Sequence, residues 1–320
     1  MDNVIRSRPC PDCYVCGSIG TPLYSALPDR IFGVPGTWNF SLCSNPECGL
    51  VWLDPAPLED EISKAYNIYY THSERRHEQF FYWLVRVGLA RITWLRRWER
   101  KSSYMTLEHE TPGRLLDIGC GSGVFLERMR AMGWDVEGVD FDAQAVKRAR
   151  TAGLEVHYGE VTSMKYSENR FDAVTMNHVI EHVFDPIGLL QECHRILKGG
   201  GRLIVVTPNV SSRAHQQFGS SWRDLDPPRH IRLFSPGTLR NCAERSGFLH
   251  IKTWTSAANA SLSWAGSLDI KETGRHNMLR DRTFQTFLRS YIGQYQEYFA
   301  LSSHPLWGEE AVLTAEKSRC

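Results

Sequence analysis

The sequence predicts an α/β protein: a mostly parallel sheet with helices on both faces, preceded by a cysteine-rich module and a helical cover. Three features point there. An apolar strand, Arg114-Leu115-Leu116-Asp117-Ile118, runs into the turn Gly119-Cys120-Gly121-Ser122-Gly123 and then into helical spacing. Further strands fall at 135–140, at 154–158, within 170–186 and at 199–209. Five of the nine cysteines crowd into positions 10–48.

A length of 320 residues suits two modest domains, or one α/β domain with additions. Basic and acidic side chains nearly cancel, 37 against 36, so a net charge of +1 gives no global field for gathering nucleic acid. No apolar run reaches the roughly 20 residues of a bilayer-spanning helix, and the opening residues lack an apolar signal core. The expectation is a soluble, cytoplasmic chain without a nucleic-acid partner. Its domains read as 1–54, a cysteine module; 55–112, a helical bridge; and 113–320, the α/β domain.

In the first stretch, Cys13-x-x-Cys16-Gly17 and Cys43-x4-Cys48-Gly49 are two cysteine pairs, each trailed by glycine. A short knuckle aims two thiolates at one ion while backbone N–H groups cap the sulfurs, and four sulfurs fill a tetrahedral zinc shell with no open position. Such a zinc is structural. Cys10-x-x-Cys13 repeats the spacing, but only Cys13 and Cys16 carry the trailing glycine, so the expected ligands are Cys13, Cys16, Cys43 and Cys48.

From Leu58 to about Lys101 the spacing turns helical, with Tyr66, Tyr69, Tyr70, Phe80, Trp83, Trp94 and Trp98 on one face. Arg86, Arg96, Arg97, Arg100 and Lys101 mark the other. The stretch reads either as a cover helix with solvated arginines or as a basic amphipathic helix, with 78–101 touching a membrane surface peripherally.

The turn after 114–118 has the pattern D-x-G-x-G-x-G, which lets backbone N–H groups approach a ligand at a helix amino end. It lacks the Gly-Lys-Ser/Thr of phosphate-cradling loops. Seventeen residues past Gly123, the strand 135–140 ends in Asp140, whose carboxylate can accept both hydroxyls of a ribose. One glycine-rich loop alone also fits a dinucleotide-binding Rossmann domain.

Through LLDIGCGSG, the acidic end of VEGVD, RFDAVTMNHVIEHVFDP and GGGRLIVVTPN, residues 113–256 resemble the class I S-adenosylmethionine-dependent methyltransferases. The resemblance implies a Rossmann-like seven-stranded sheet that binds S-adenosylmethionine. On the matching positions it implies that Asp117, Gly119, Cys120, Gly121 and Gly123 shape the methionine end, Asp140 holds the ribose and Phe141 flanks the adenine. Glu160 stands where the family often has an Asp for the adenine amino group, and Asn177 and His178 stand where backbone contacts to the cofactor occur. Cysteine module, tyrosine-rich bridge and core, in that order, also resemble bacterial methyltransferases of sugar and natural-product pathways. Their second pair is C-x-x-C, whereas this chain has four intervening residues.

Methyl transfer to a hydroxyl is an in-line displacement that needs proximity and a base or a metal to take the proton. His182 follows the fourth strand, and His230 lies in the proline-rich loop 222–234; His230 is the expected base and His182 the expected orienting group. The string H-x-x-E-H at 178–182 matches an inverted zinc-protease motif, but it follows a strand and the protease reading is rejected. The ubiquinone-pathway O-methyltransferases look similar here, with a divalent metal on E-x-x-E-H, which makes magnesium on His178, Glu181 and His182 an alternative. Arg223, Arg229 and Arg232 could clamp an anionic group. After a helix at 235–246 and a strand at 248–254, an insert at about 257–305, helical over 284–301, precedes the last strand at 309–316. It either walls the acceptor pocket or makes a homodimer contact.

The function expected is methylation of a small-molecule acceptor, first an oxygen of a glycosyl or natural-product intermediate. The alternatives are a C- or N-methyltransferase on a sugar and a zinc-containing RNA base methyltransferase. Against the last stand the neutral charge and Thr207-Pro208-Asn209, which lacks the N-P-P-Y loop that grips a flipped base.

Overall fold

The computed structural model describes residues 4–66, 105–277 and 283–319. Its first part holds β1 (Ser7–Arg8), β2 (Gly20–Pro28), β3 (Thr37–Cys43), β4 (Val51–Leu53) and β5 (Ala56–Pro57). Strands β2, β3 and β4 pair antiparallel, and β1 pairs with β5. Side chains alternate across a strand, so Val51 and Leu53 join one apolar cluster while Trp52 joins another, and all three are buried. A sheet so placed has both faces covered. A single 3-10 turn, Ile62–Tyr66, ends this stretch. The aromatic and basic pattern from Tyr69 to Lys101, with the membrane contact expected of 78–101, lies outside the described residues.

The rest comprises β6 (Arg114–Ile118), α1 (Val124–Ala131), β7 (Asp135–Asp140), α2 (Ala143–Thr151), β8 (Glu155–Tyr158), β9 (Phe171–Asn177), α3 (Pro186–Ile196) and β10 (Leu197–Pro208). It continues with α4 (Arg213–Phe218), β11 (Arg232–Leu233), α5 (Pro236–Arg245), β12 (Leu249–Ser256), α6 (Ala260–Thr273), α7 (Phe284–Ala300) and β13 (Glu310–Glu316). The central sheet has seven strands in the order β12-β13-β10-β9-β6-β7-β8. Neighbours from β10 to β8 are parallel, and β13 runs antiparallel between β12 and β10. Helices on both faces explain why Leu115, Leu116, Val174, Met176, Leu203, Ile204 and Val205 are fully buried without alternation. Strand order reverses between β6 and β9, and the crevice at the carboxyl ends of strands around such a reversal is where open α/β sheets bind ligands.

The amino-terminal sheet is completed from far along the chain. Arg232 pairs with Trp52 and Leu233 with Val51, so its order is β11-β4-β3-β2. The insert then covers it: Trp264, Leu268 and Tyr298 share a cluster with Leu27, Trp38, Phe40 and Leu53. No helix among the described residues is long and apolar enough to cross a membrane.

Two tryptophans tie this cover to buried acids. Trp264 Nε1 donates to Glu297 Oε1 at 2.6 Å and Trp222 Nε1 donates to Glu309 Oε1 at 2.8 Å, while the other oxygen of each carboxyl has no hydrogen-bond partner. Burial pushes Glu297 up to about 8. A carboxyl whose pKa rises on folding contributes most at acid pH, and that contribution is lost as pH climbs from about 4.5 to about 8. Glu297→Gln keeps the acceptor for Trp264 and removes the titration. Its melting temperature relative to the parent chain should therefore rise between pH 5 and pH 8; an equal difference at both values would show that Glu297 does not titrate in this range.

Candidate active site

The loop after β6 is shaped by its own sequence. Gly119, Gly121 and Gly123 take φ of +72°, +54° and +86°, a region that side chains with a Cβ rarely adopt. Space is as restrictive as conformation: a Cβ on Gly119 would lie 2.4 Å from Val179 Cγ2, and one on Gly123 would lie 2.2 Å from Leu154 Cδ1. The N–H groups of Gly119 and Cys120 both reach Val139 O, at 2.8 and 3.3 Å, which folds the loop over β7. Cys120 turns its side chain inward, where Gly138 leaves room for the sulfur.

The acidic end of β7 braces that loop. Asp140 Oδ2 accepts from Gly121 N and Oδ1 from Asp142 N, both at 2.7 Å, and Asp142 caps α2 through Gln144 N and Ala145 N. Gly159 N donates to Asp140 O at 3.0 Å, which brings the turn carrying Glu160 beside Asp140. Glu160 and Asn177 are exposed, and Phe141 is 51% exposed with its ring edge-to-face with Tyr66 at 5.2 Å. Asp117 is buried, accepts from Thr175 Oγ1 at 2.7 Å, and is pushed up to about 7 by burial and by the charge of Asp140.

At the end of β9 the histidines separate by environment. His178, at φ +55°, has Nδ1 3.2 Å from Glu181 Oε1 and Nε2 3.5 Å from Glu310 Oε1. Burial opposes its charge, but the two carboxylates override it and lift the imidazole to about 10. His178 faces Glu181 and Glu310 with its two ring nitrogens and is not one of the converging donors, so the set His178, Glu181 and His182 is not the one gathered here. The donor atoms that do lie within 4.8 Å of one another belong to Glu181, His182 and His230. Glu181 is buried, accepts from Thr207 Oγ1 at 2.8 Å and is held down to about 2, its burial being outweighed by His178.

His182 and His230 meet edge-to-face with centroids 4.7 Å apart. Each Nδ1 lies against a backbone carbonyl, Arg229 O at 3.0 Å for His182 and Asp224 O at 2.7 Å for His230. A carbonyl only accepts, so both rings carry their proton on Nδ1 and leave Nε2 as the free base position. Tyr66 Oη also reaches His182 Nδ1, at 3.1 Å. Burial, and then the neighbouring His230, hold His182 down to about 4. The arginines are engaged internally: Arg229 with Asp29 and Asp226, Arg223 with Asp224, and Arg232 over the Tyr14 ring and on Val183 O.

Apart from this site, the sulfurs of Cys13, Cys16, Cys43 and Cys48 gather within 4.8 Å of one another. Cys10 is outside the group; its N–H donates to Asp54 Oδ1 at 2.8 Å and its carbonyl accepts from Trp52 Nε1 at 2.7 Å.

Residues 91–252 match the family described as methyltransferase domain, and the chain belongs to that family. Its seven-stranded sheet is that of the class I S-adenosylmethionine-dependent methyltransferases. The ubiquinone biosynthesis O-methyltransferase of Pseudomonas aeruginosa strain UCBPP-PA14 is 32% identical over 141 residues, 38% of this chain and 61% of that protein. The protein of the same name from Cereibacter sphaeroides strain ATCC 17025 is 31% identical over 171 residues, 50% of this chain and 69% of its own length. The chain thus spans about 61% of the length of the first of these curated relatives. Among solved structures, an S-adenosylmethionine-dependent methyltransferase from Thermotoga maritima aligns with a TM-score of 0.47 at 21% identity, covering 74% of this chain and 98% of that one.

Sequence reasoning passed over Asp29, Asp224, Asp226, Glu309 and Glu310, which surround the histidines. No periodic signal marks them, since they sit in turns or at a strand end. Gly119→Ala should weaken binding of S-adenosylhomocysteine at least about 10-fold by calorimetry, because the methyl meets Val179. Adding Val179→Ala should recover part of the loss; unchanged binding by the single variant would mean that the loop does not hold the ligand.

Proposed function

We propose that the chain moves the methyl group of S-adenosylmethionine to a small-molecule acceptor, an oxygen of a glycosyl or natural-product intermediate. The observation that carries the acceptor side is the pair of part-buried His182 and buried His230, in ring contact and with both Nδ1 positions occupied, just past the end of β9 beside the strand reversal. Asp117, Gly119, Cys120, Gly121 and Gly123 would take the methionine end, Asp140 the ribose, Phe141 and Glu160 the adenine, with Asn177 and His178 beside them. When bound, the donor supplies a methyl carbon made electrophilic by a sulfonium.

The remaining work falls to this chain's own groups. His230 accepts the hydroxyl proton at Nε2, and the imidazolium so formed faces Asp226, whose Oδ2 lies 4.0 Å from Nε2. His182, held down to about 4, orients the pocket. His178, already protonated, neutralises Glu181 and Glu310 instead of moving protons. Cys13, Cys16, Cys43 and Cys48 would hold one structural zinc, because four thiolates at this spacing complete a closed tetrahedral shell.

His230→Ala should lower turnover of labelled methyl by roughly 100-fold, leave S-adenosylhomocysteine affinity unchanged, and abolish the loss of rate at acid pH that protonation of an imidazole base causes. Wild-type turnover in His230→Ala with loss in His182→Ala would exchange the two roles. Loss on chelation with recovery on adding magnesium would instead place a cation at Glu181, His182 and His230. Elemental analysis should find one zinc per chain and none in Cys16→Ser; a full zinc complement in that variant would remove Cys16 from the set.

A further inference from the structure

Arg229 is wholly buried, yet it is charged. Its Nη1 and Nη2 donate to the two oxygens of Asp29 at 2.8 and 2.9 Å, its Nε donates to Asp226 Oδ2 at 3.0 Å, and the guanidinium lies 4.4 Å from the Phe32 ring centroid. Two carboxylates face one cation, and the surplus negative charge is met by backbone: Ile31 N and Phe32 N donate to Asp29 Oδ1 at 2.9 Å, and Val34 N donates to Oδ2 at 3.1 Å. Burial opposes the ionised form of Asp29, but the Arg229 guanidinium and these N–H groups hold it below the usual carboxylate range. Replacing a buried ion set with well-packed apolar side chains is often neutral or stabilising, so stability alone does not account for this one. What it fixes is position.

The residue so fixed controls both rings. The Arg229 carbonyl accepts from His182 Nδ1, His230 is the next residue, and the N–H groups of Arg229 and His230 both donate to Asp226 O, at 3.0 and 3.1 Å. Asp29 comes from the turn between β2 and β3, some 200 residues away in sequence. The same amino-terminal part supplies Tyr66 Oη to His182 Nδ1. The amino-terminal region thus reaches this imidazole directly through Tyr66 and indirectly through Asp29 and the Arg229 main chain.

Resting on the reading of His182 and His230 as acceptor-side residues, we propose that Asp29 and Arg229 are positioning residues: through them the amino-terminal module sets the tautomer and orientation of His182 and places His230 against it. The module is in this sense part of the acceptor half of the site. Removing the Asp29 contact lets the Arg229 main chain shift, frees the His182 Nδ1–H and turns Nε2 away from His230.

The test uses the full chain labelled with 15N-histidine, with S-adenosylhomocysteine as the probe ligand. In the parent chain the Nδ1–H signals of His182 and His230 should be protected from exchange. In Asp29→Asn both should exchange at least about 10-fold faster, whereas His194, held on α3, should not change. Phe32→Leu, which removes only the ring over the guanidinium, should give a smaller change of the same kind and covers the case in which Asp29→Asn does not fold. A folded Asp29→Asn or Phe32→Leu chain with unchanged His182 and His230 signals overturns the proposal. The readout needs no turnover, so failure of the parent chain to bind S-adenosylhomocysteine counts against the proposed function, and the histidine signals of the unliganded chain still decide the role of Asp29.

Discussion

Backbone pairing between β4 and β11 is the constraint on which the architecture depends. Leu53 N donates to Ile231 O at 3.0 Å, and the ladder continues through Val51 with Leu233 and Trp52 with Arg232. An edge strand must be paired or covered, and here the edge of the amino-terminal sheet is closed by two residues that directly follow His230 and Ile231. The same bonds thus complete a small sheet and anchor the loop that carries a catalytic candidate. With the insert packed on one face of that sheet and α3 and α5 near the other, the amino-terminal region is wedged into the α/β domain.

Charge inside this wedge follows two different rules. Where a guanidinium is available, as at Asp29, the acid is held below the usual carboxylate range and forms directional bonds. Where burial outweighs the nearby charges, as at Glu297 and Glu309, the carboxyls are pushed up and accept from indole N–H groups. His178 plays the same part for Glu181, which it holds down, while its other ring nitrogen faces Glu310. Asp29, Glu297 and Glu309 are all buried, so among these acids the neighbour rather than the depth decides the direction of the shift.

Short-range spacing made much of this legible. The glycine loop, Asp140 seventeen residues beyond it, the cysteine pairs and the succession of strands and helices of an α/β domain all follow from patterns that act within one or two elements. The strand and helix limits expected at 154–158, 235–246, 248–254 and 309–316 differ from those observed by no more than two residues at either end. What spacing does not encode is pairing over long separations. Arg229 reads as one of three arginines in a polar loop, and nothing in its neighbourhood names Asp29. The Gly308-Glu309-Glu310 run reads as a strand entry on the surface, because burying two acids there depends on Trp222, Asn259 and His178 arriving from elsewhere. His178 was expected beside a cofactor or a metal; it lies between Glu181, three residues on, and Glu310, 132 residues further on.

The composite sheet also imposes an order in time on synthesis. Residues 20–53 leave the ribosome early, but the strand that closes their sheet follows about 180 residues later. At translation rates of roughly 5–20 residues per second, that interval lasts on the order of 10–40 seconds. For that period the β4 edge, with the apolar side chains of Val51, Trp52 and Leu53, waits without its partner. The cysteine knuckles at its base are complete by residue 48, so a thiol cluster able to close on an ion is present long before the sheet above it can be finished.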